Sequence, residues 1–328
     1  MIRALLALST LPLAALATAS TASVAQATAV PSATDQGADV YRFKVGDIRV
    51  TALSDGTVPQ DLHALLRRTT PARIDALLDR NFQSNPVEAS INVYLIELPG
   101  RMVLVDTGSG ALFGPGAGGK LVASLARAGT TPDKITDVLI THVHSDHAGG
   151  LVRGGQRVFP NAIVHVAKAD LDFFADRSNA ARTRYDSQYF DIAATTMKPY
   201  LDAGKVRPIT KDGPIVPGVT ATIHPGHTPG SAFFTVESKG ERIVFVGDIV
   251  HSAAVQFPDV ATTIAYDQDA DGAAAVRSRA FTDFAQRRAL IAVPHMPFPG
   301  IGHIRAEGQG FAWVPENYVN RAAILMPE

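Results

Sequence analysis

Three histidines and one aspartate occur within six residues near the middle of the chain, at His142, His144, Asp146 and His147. Imidazole nitrogens and carboxylate oxygens are suitable ligands for zinc and similar divalent ions. The run follows a strand-like segment that ends at Thr141, and a turn leaving a strand can aim all four side chains inward. Because four ligands exceed the need of one tetrahedral ion with an open position, the run predicts two adjacent metals. A polar turn with chance histidines is the weaker alternative.

Three further candidate ligands, His227, Asp248 and His295, lie where an apolar segment runs into a turn marked by glycine or proline. Taken singly, each is more typical of an ordinary turn residue. Taken with the first run, they predict a shared site, because functional side chains are usually placed on loops at strand ends.

The elements that would position these residues follow from the apolar runs and their lengths. Strands are predicted at 48–53, 91–97, 102–106, 137–141, 162–166, 219–224, 232–236, 242–247 and 290–293. Helices are predicted at 71–80, 121–128, 167–175, 187–201 and 271–288. Adjacent strands come first and strands mixed with helices follow, which favours sheet layers covered by helices over a doubly wound dinucleotide fold.

Composition narrows the function classes. The 328 residues are 46% hydrophobic and 19% charged, with a net charge of −1, so the chain is of ordinary globular type. No basic stripe suggests nucleic-acid binding, and we expect a small-molecule partner instead. The absence of cysteine excludes disulfides, thiolate metal sites and cysteine proteases.

The N-terminus is typical of a secretory signal peptide. Arg3 precedes a mostly apolar run at 4–17, and an Ala-Gln-Ala pattern ends at Ala27. We therefore predict a signal peptide at 1–27, a disordered lead-in at 28–38 and a single catalytic domain at 39–328. A membrane anchor is the weaker alternative, because the run is shorter than the about 20 residues that cross a bilayer. The expected location is periplasmic or secreted, without stable membrane association after cleavage.

The His-x-His-x-Asp-His run, the later Gly-His-Thr-Pro-Gly, the Gly-Asp pair and the late histidine resemble the signature of the metallo-β-lactamase-fold hydrolases. The similarity covers nearly the whole mature chain. It is greatest to the methyl parathion hydrolase branch, with its lactone- and arylester-hydrolysing relatives, through segments 51–57, 104–108, 112–115 and 298–308.

This resemblance implies an α/β fold, the αββα sandwich, with the site at one edge between the sheets. It assigns one metal to His142, His144 and His227, a second to Asp146, His147 and His295, and the bridge to Asp248. Asp106 matches a position that supports the metal loop by orienting ligand imidazoles. The resemblance favours His295 over His303 as the last ligand, which leaves His303 a second-shell or loop-stabilising role.

The chemistry implied is hydrolysis by a metal-bridging hydroxide, with Asp146 and Asp248 as the catalytic carboxylates. Two ions about 3.5–4 Å apart can lower the pKa of a shared water toward neutrality. The second metal would polarise the carbonyl or phosphoryl oxygen. The chain has no Gly-x-Ser-x-Gly elbow, so no protein nucleophile is required. Zinc is the first expectation for both ions, and the ligand set also admits manganese, iron or cobalt.

By resemblance, the substrate pocket is formed by Phe113, Phe174, His251, Ile264 and Tyr266. His251 stands where the organophosphate hydrolase has an apolar side chain, and Tyr266 where it has a smaller aliphatic one. Because both narrow the pocket, we expect a planar lactone or aryl ester to fit better than a tetrahedral phosphotriester. The alternative for His251 is simple packing in a loop.

Competing hypotheses stay open at this point. The first is a lactone or aryl-ester hydrolase, and the second is a phosphotriester hydrolase with the same site. A β-lactamase and a non-catalytic metal-binding protein are weaker alternatives. A homodimer is common in the branch that the chain resembles, although no sequence feature indicates one here.

The acidic run at 267–272 begins like a calcium-binding loop. Ser278 occupies the position of the closing bidentate glutamate, so a calcium site is not predicted. We interpret these acidic residues as capping the helix that follows.

Overall fold

The computed structural model describes residues 38–183 and 185–321. The predicted signal peptide, and the predicted lead-in except its last residue, lie outside the described residues. The described strands are β1 (Val40–Val45), β2 (Ile48–Gln60), β3 (Leu66–Arg67), β4 (Val87–Leu98), β5 (Arg101–Val105), β6 (Asp137–Ile140), β7 (Val152–Arg153), β8 (Gln156–Arg157), β9 (Ile163–Ala167), β10 (Val206–Ile209), β11 (Gly213–Val216), β12 (Val219–Ile223), β13 (Ala232–Ser238), β14 (Glu241–Phe245), β15 (Thr263–Ile264), β16 (Leu290–Ala292), β17 (Ile301–Glu307) and β18 (Gly310–Pro315).

The α-helices begin at polar caps or at proline where the sequence provides them. Asp269 accepts a hydrogen bond from the Gly272 amide at the start of the longest helix, and Thr70 precedes Pro71 at the start of another. The described helices are α1 (Leu62–Leu65), α2 (Pro71–Asp79), α3 (Leu121–Arg127), α4 (Ser145–Ala148), α5 (Lys168–Ala175), α6 (Ser178–Thr183), α7 (Ser187–Asp202), α8 (Ala253–Gln256) and α9 (Ala270–Arg287).

Most of the strands form two seven-stranded sheets. The first has the order β1-β2-β4-β5-β6-β9-β10, and the second has the order β11-β12-β13-β14-β16-β17-β18. Within the first sheet β5, β6 and β9 run parallel, and within the second β14 and β16 run parallel. The carboxyl ends of these strands therefore meet at common edges.

The sheets are buried on both faces, which explains why their strands read as nearly continuous apolar runs. In β4, Tyr94 and Ile96 point into the core between the sheets, while Val93 and Leu95 point to the outer face. In β13, Phe234 joins the same central core from the second sheet. The alternation follows from the two-residue period of a strand.

Helices cover both outer faces. Leu125 of α3 and Met197 of α7 pack on the first sheet, whereas Phe281 and Phe284 of α9 pack on the second. The αββα sandwich that the resemblance implies is confirmed, as is its α/β class. No helix in the described ranges is both long and apolar enough to span a bilayer.

Candidate metal centre

The His-x-His-x-Asp-His run leaves the carboxyl end of β6 and turns into the short helix α4. His142, His144 and His147 are buried there, and Asp146 is partly exposed. The three other candidate ligands lie just after β12, β14 and β16 of the second sheet. Both sheets therefore contribute to one site at their shared edge.

The structure brings all seven predicted ligands together. The ligand atoms of His142, His144, His227 and Asp248 lie within 4.8 Å of one another, as do those of Asp146, His147 and His295. Asp248 lies between the two sets. Its Oδ1 is 3.1 Å from Nε2 of His147, and its Oδ2 is 3.1 Å from Nε2 of His295. These are the two groups that the resemblance implies, with Asp248 in the bridging place.

Each of the five histidines is held through the ring nitrogen that faces away from the cluster. Three of these outer nitrogens contact carboxylate or carbonyl oxygens, at 2.8 Å for His147 to Asp106, 2.8 Å for His227 to Asp267 and 2.9 Å for His295 to the Ser90 carbonyl. Because the carboxylates and the carbonyl accept hydrogen bonds, the outer nitrogens carry the protons.

The two remaining histidines have hydroxyl partners. Nδ1 of His142 lies 3.1 Å from the Thr141 hydroxyl, which donates to Asp106. Nε2 of His144 contacts the Tyr185 hydroxyl, which donates to the Tyr266 carbonyl 2.9 Å away. Since each hydroxyl proton is already engaged, each oxygen accepts from the histidine.

The inner nitrogens of His142, His144 and His227 therefore present lone pairs to one another, whereas those of His147 and His295 face the Asp248 carboxylate at 3.1 Å. Nδ1 of His144 lies 3.0 Å from Nε2 of His142 and 3.1 Å from Nε2 of His227. Two atoms buried between the sets, Nε2 of His147 and Oδ1 of Asp248, have no hydrogen-bond partner. Facing lone pairs and anionic oxygens repel unless a cation lies between them, so the donor set fits divalent metal ions.

The electrostatics differ between the two sets. Burial, reinforced by neighbouring imidazoles, lowers the pKa of His142 and His144 well below the usual range. Burial acts in the same direction on His147, but nearby carboxylates, Asp248 first, outweigh it and raise the pKa of His147 well above normal. Burial would raise the pKa of Asp248, yet the surrounding histidines lower it strongly. The set formed by Asp146, His147 and His295 therefore favours positive charge, which a metal ion would supply in place of a proton.

Two buried aspartates fix the loops that carry the ligands. Asp106 follows β5 in a left-handed conformation (φ 63°) and accepts from the Thr141 amide at 2.8 Å, in addition to its contact with His147. It therefore supports the metal loop, as the resemblance implies. Asp170 was not predicted from the sequence. It accepts from the backbone amides of Val143 and Gly230, at 2.9 and 2.6 Å, and so ties the loop after β6 to the loop after β12.

A cavity of about 230 Å³ lies over the metal-ligand cluster. Three of the predicted pocket residues, Phe113, His251 and Tyr266, line it. The unpredicted lining residues outside the ligand set are Val58, Pro59, Gln60, Leu65, Ser145 and Tyr189.

Two predicted pocket residues are corrected. Phe174 is 3% exposed and packs in the core beside the His144 ring, with centroids 6.1 Å apart. Ile264 is 2% exposed and pairs with Leu66 in a two-stranded sheet, within an apolar cluster. Neither lines the cavity, because both side chains are directed into apolar cores behind its wall.

The second-shell role predicted for His303 is corrected, whereas the loop-stabilising alternative agrees with the structure. His303 lies on β17, where Nδ1 contacts the Ala289 carbonyl at 2.9 Å and Nε2 lies 3.4 Å from Glu316. Neither contact reaches the ligands. His303 therefore joins β17 to the segment after α9, and the choice of His295 as the residue that joins the ligand cluster agrees with the geometry.

The capping interpretation of the acidic run holds for one residue and fails for another. Asp269 caps α9, as predicted. Asp267 does not cap the helix; its carboxylate is buried between His227 and the Ile264 amide, with distances of 2.8 and 2.9 Å. Burial would raise the pKa of Asp267, but the hydrogen bond from His227 and the charge of that histidine lower it overall.

Comparison with known proteins agrees with this geometry. The model of the metallo-beta-lactamase superfamily matches residues 87–309, about two thirds of the chain. The chain belongs to the metallo-beta-lactamase superfamily. Within the superfamily, N-acyl homoserine lactonase of Bacillus thuringiensis is 26% identical over 173 residues. The match covers 47% of this chain and 61% of that lactonase, which is less than two thirds of its length.

Two solved structures of the superfamily are similar over most of the chain. AidC, described as a dizinc quorum-quenching lactonase in complex with a product, N-hexanoyl-L-homoserine, has a TM-score of 0.80 and 28% identity. That similarity covers 86% of this chain and 99% of AidC. The hydrolase AbOPH has a TM-score of 0.80 and 32% identity. That similarity covers 87% of this chain and 99% of AbOPH.

Proposed function

We propose that this protein is a metal-dependent hydrolase that cleaves lactones or aryl esters with two divalent cations, zinc first. One observation carries the proposal: five imidazoles and two carboxylates form one cluster, here called the floor, and four of these residues, His144, Asp146, Asp248 and His295, line a cavity with a partly apolar wall. The similarity to proteins named as lactonases, one of them dizinc, supports the lactone reaction and the zinc pair.

The lining of the cavity favours an uncharged substrate. Val58, Pro59, Leu65 and Phe113 provide apolar surface for an acyl or aryl group. No lysine or arginine is among the described residues that line the cavity. A substrate carboxylate, such as that of a β-lactam, would find no cationic partner there, so we place β-lactam hydrolysis below ester hydrolysis.

His251 and Tyr266 narrow the cavity above the floor. Their ring centroids lie 5.5 Å apart, and His251 stacks on His295 at 5.2 Å. The place of His251 on the cavity wall supports a role in the pocket over simple packing in a loop. Two rings at this position leave a slot that suits a planar lactone or aryl ester better than a tetrahedral phosphotriester.

Asp146 and Asp248 have different roles in the proposed reaction. When bound, the two cations would supply Lewis acidity and a water of lowered pKa. Asp146 is the ligand best placed to move protons, because its side chain is 16% exposed whereas that of Asp248 is 3% exposed. We infer that Asp146 takes up the proton of the attacking water and returns it to the leaving oxygen. Asp248 fixes the spacing of the two ligand sets.

The proposal is tested by removing and restoring the metal. Purified protein is stripped with a chelator, reloaded with zinc or manganese, and assayed on dihydrocoumarin, an N-acyl homoserine lactone, methyl parathion and a cephalosporin. We expect metal-dependent turnover that is fastest on a lactone or aryl ester. Hydrolysis that continues unchanged after chelation would contradict the metal mechanism. A clear preference for methyl parathion would favour the phosphotriester alternative. Stoichiometric metal binding without any turnover would indicate a binding protein.

A further inference from the structure

The guanidinium of Arg277 is buried against the segment that follows β14. Arg277 lies on α9 and is 0% exposed. Its Nε donates to the Ile249 carbonyl at 2.5 Å, and its Nη1 donates to the carbonyls of Val260 and Thr262 at 2.9 and 2.6 Å. Its Nη2 is buried without a hydrogen-bond partner. The guanidinium therefore joins the two ends of segment 249–262 through three neutral acceptors.

A buried arginine normally lies beside a carboxylate. Arg101 shows this arrangement, with its Nη1 2.8 Å from the buried carboxylate of Asp137. In the described ranges, the hydrogen bonds of Arg277 go to carbonyls alone. Burial lowers the pKa of Arg277 to about 10, although the charge of Asp267 opposes the shift, so the guanidinium stays charged at neutral pH. Because burying an unpaired charge lowers stability, stability alone does not explain this arginine.

Segment 249–262 borders the floor and forms part of the wall. It begins directly after Asp248, the carboxylate that lies between the two ligand sets. It includes His251, which lines the cavity. Strand β15 follows the segment and leads to Asp267, whose carboxylate holds a ligand histidine. A residue that fixes both ends of this segment therefore fixes the position of the bridging carboxylate.

Gln256 holds the interior of the same segment. Its oxygen accepts from the amides of His251 and Ser252, and its nitrogen donates to the Thr262 carbonyl, which also accepts from Arg277. A neutral amide is therefore sufficient for contacts within the segment. The planar guanidinium has five donors that point in different directions, so it can reach both ends of the segment from one position on a helix.

We propose that Arg277 is a positioning residue for the metal centre, because its guanidinium joins both ends of segment 249–262 and so sets the place of Asp248 between the two ligand sets. The inference rests on the proposed metal-dependent function. Arg277 is not among the residues that line the cavity, so it acts through the backbone and not on the substrate. Without it, the bridging carboxylate is held less firmly, and two cations bind less tightly.

The test measures metal binding and catalysis in Arg277→Met and Arg277→Lys. Methionine removes every donor, whereas lysine keeps the charge but has its donors at one point and cannot reach both ends. Because residues that orient metal ligands contribute about 10–100-fold to metal affinity, zinc affinity should fall by that factor in both variants. Competition titration with a chromogenic chelator measures it. The visible spectrum of the cobalt-loaded protein, which reports ligand geometry, should also change.

Catalysis gives a second measurement on the same variants. At saturating zinc, kcat on dihydrocoumarin should fall about tenfold, whereas KM should change less than about threefold, since Arg277 does not contact the substrate. Arg42→Met is the matched control. Arg42 is also buried, at 2% exposed, but it lies on β1, the edge strand of the first sheet. Its replacement should leave zinc affinity, the cobalt spectrum and kcat at wild-type values.

Each result decides the proposal. Lower zinc affinity in both Arg277 variants, with an unchanged control, supports it. Wild-type zinc affinity in folded Arg277→Met would overturn it, as would full affinity in Arg277→Lys or an equal fall in the control. If Arg277→Met does not fold, Arg277→Gln provides the same comparison with a neutral polar side chain. Wild type that binds no zinc, or that turns over no lactone or ester, would sink the proposed function itself, a failure that is distinct from a failure of Arg277.

Discussion

The floor and the wall of the cavity hold their polar groups in opposite ways. The floor consists of the seven candidate ligands, and each of its histidines has an outer nitrogen engaged by a second residue. On the wall, the side chains of Gln60, Tyr189 and Tyr266 make no hydrogen bond within the described residues. A floor fixed in advance suits a cation, whose ligands must keep their geometry. The free donors and acceptors on the wall can hydrogen-bond the polar groups of a substrate, so the wall determines which substrates bind well.

Removal of a floor residue should have the largest effect on activity. Asp248→Ala takes away the carboxylate that lies between the two ligand sets, so the ligand sets lose their common anion. We expect kcat/KM to fall on the order of 10³-fold or more, with less than two metal ions per chain by elemental analysis. Asp259→Asn, on the surface pair with Arg73, is the control. Retention of more than a tenth of wild-type activity would contradict the role of the floor.

Two aspartates close in sequence, Asp267 and Asp269, have different predicted roles. Asp267 supports a metal ligand of the floor, and Asp269 caps a helix. Asp267→Asn weakens the partner of His227, and we expect zinc affinity to fall about 10–100-fold. Asp269→Asn alters the cap of α9, so it should lower the free energy of unfolding by no more than about 1 kcal/mol and leave zinc affinity unchanged. Competition titration with a chromogenic chelator measures both. Equal affinities in the two variants would show that the outer contacts do not hold the floor.

The pH dependence of stability tests the buried carboxylate that joins two floor loops. Burial raises the pKa of Asp170 to about 6, despite hydrogen bonds from Val143, Thr228 and Gly230. The unfolded chain therefore loses this proton at lower pH than the folded chain. The stability contributed by Asp170 is fully present below about pH 4 and is lost as the pH rises through about 6, by at most about 3 kcal/mol.

Denaturant unfolding of the metal-free protein between pH 4 and pH 7 measures this effect. Subtracting the curve of Asp170→Asn removes the contributions of the histidines. The difference between the curves should change most between pH 4 and pH 6. A difference that is flat across this range would mean that Asp170 is ionised throughout.

A change in the wall should redirect activity and leave the metals in place. His251→Leu removes the ring that contacts Asp248 at 3.1 Å and replaces it with a smaller apolar group. We expect the ratio of methyl parathion to dihydrocoumarin kcat/KM to rise severalfold, because the slot above the floor becomes wider. Metal content should stay at the wild-type value. A loss of metal with no change in the ratio of the two kcat/KM values would indicate that His251 is a metal ligand instead.

How far the sequence predicts the molecule depends on whether a residue belongs to a local pattern. The nine predicted strands and five predicted helices are confirmed to within a few residues, except that β2 continues through a bulge between Ser54 and Gly56 to Gln60. That extension brings Gln60 to the cavity, far in sequence from the histidine run. No spacing rule links the two, because the contact depends on how the strands pair.

The errors in the pocket have a different origin. Resemblance gives the neighbourhood of Phe174 and Ile264 correctly but not the direction of their side chains, which decides between core and cavity. Asp267 was assigned to capping because acidic residues before a helix usually cap it. Only the fold shows that its carboxylate meets His227 instead.

The central claim is that seven side chains from both sheets hold two divalent cations. Anomalous diffraction at the zinc edge from crystals grown with zinc tests it most directly. We predict two peaks, one among His142, His144 and His227 and one among Asp146, His147 and His295, with Asp248 in contact with both. A single peak, or peaks away from these side chains, would contradict the account.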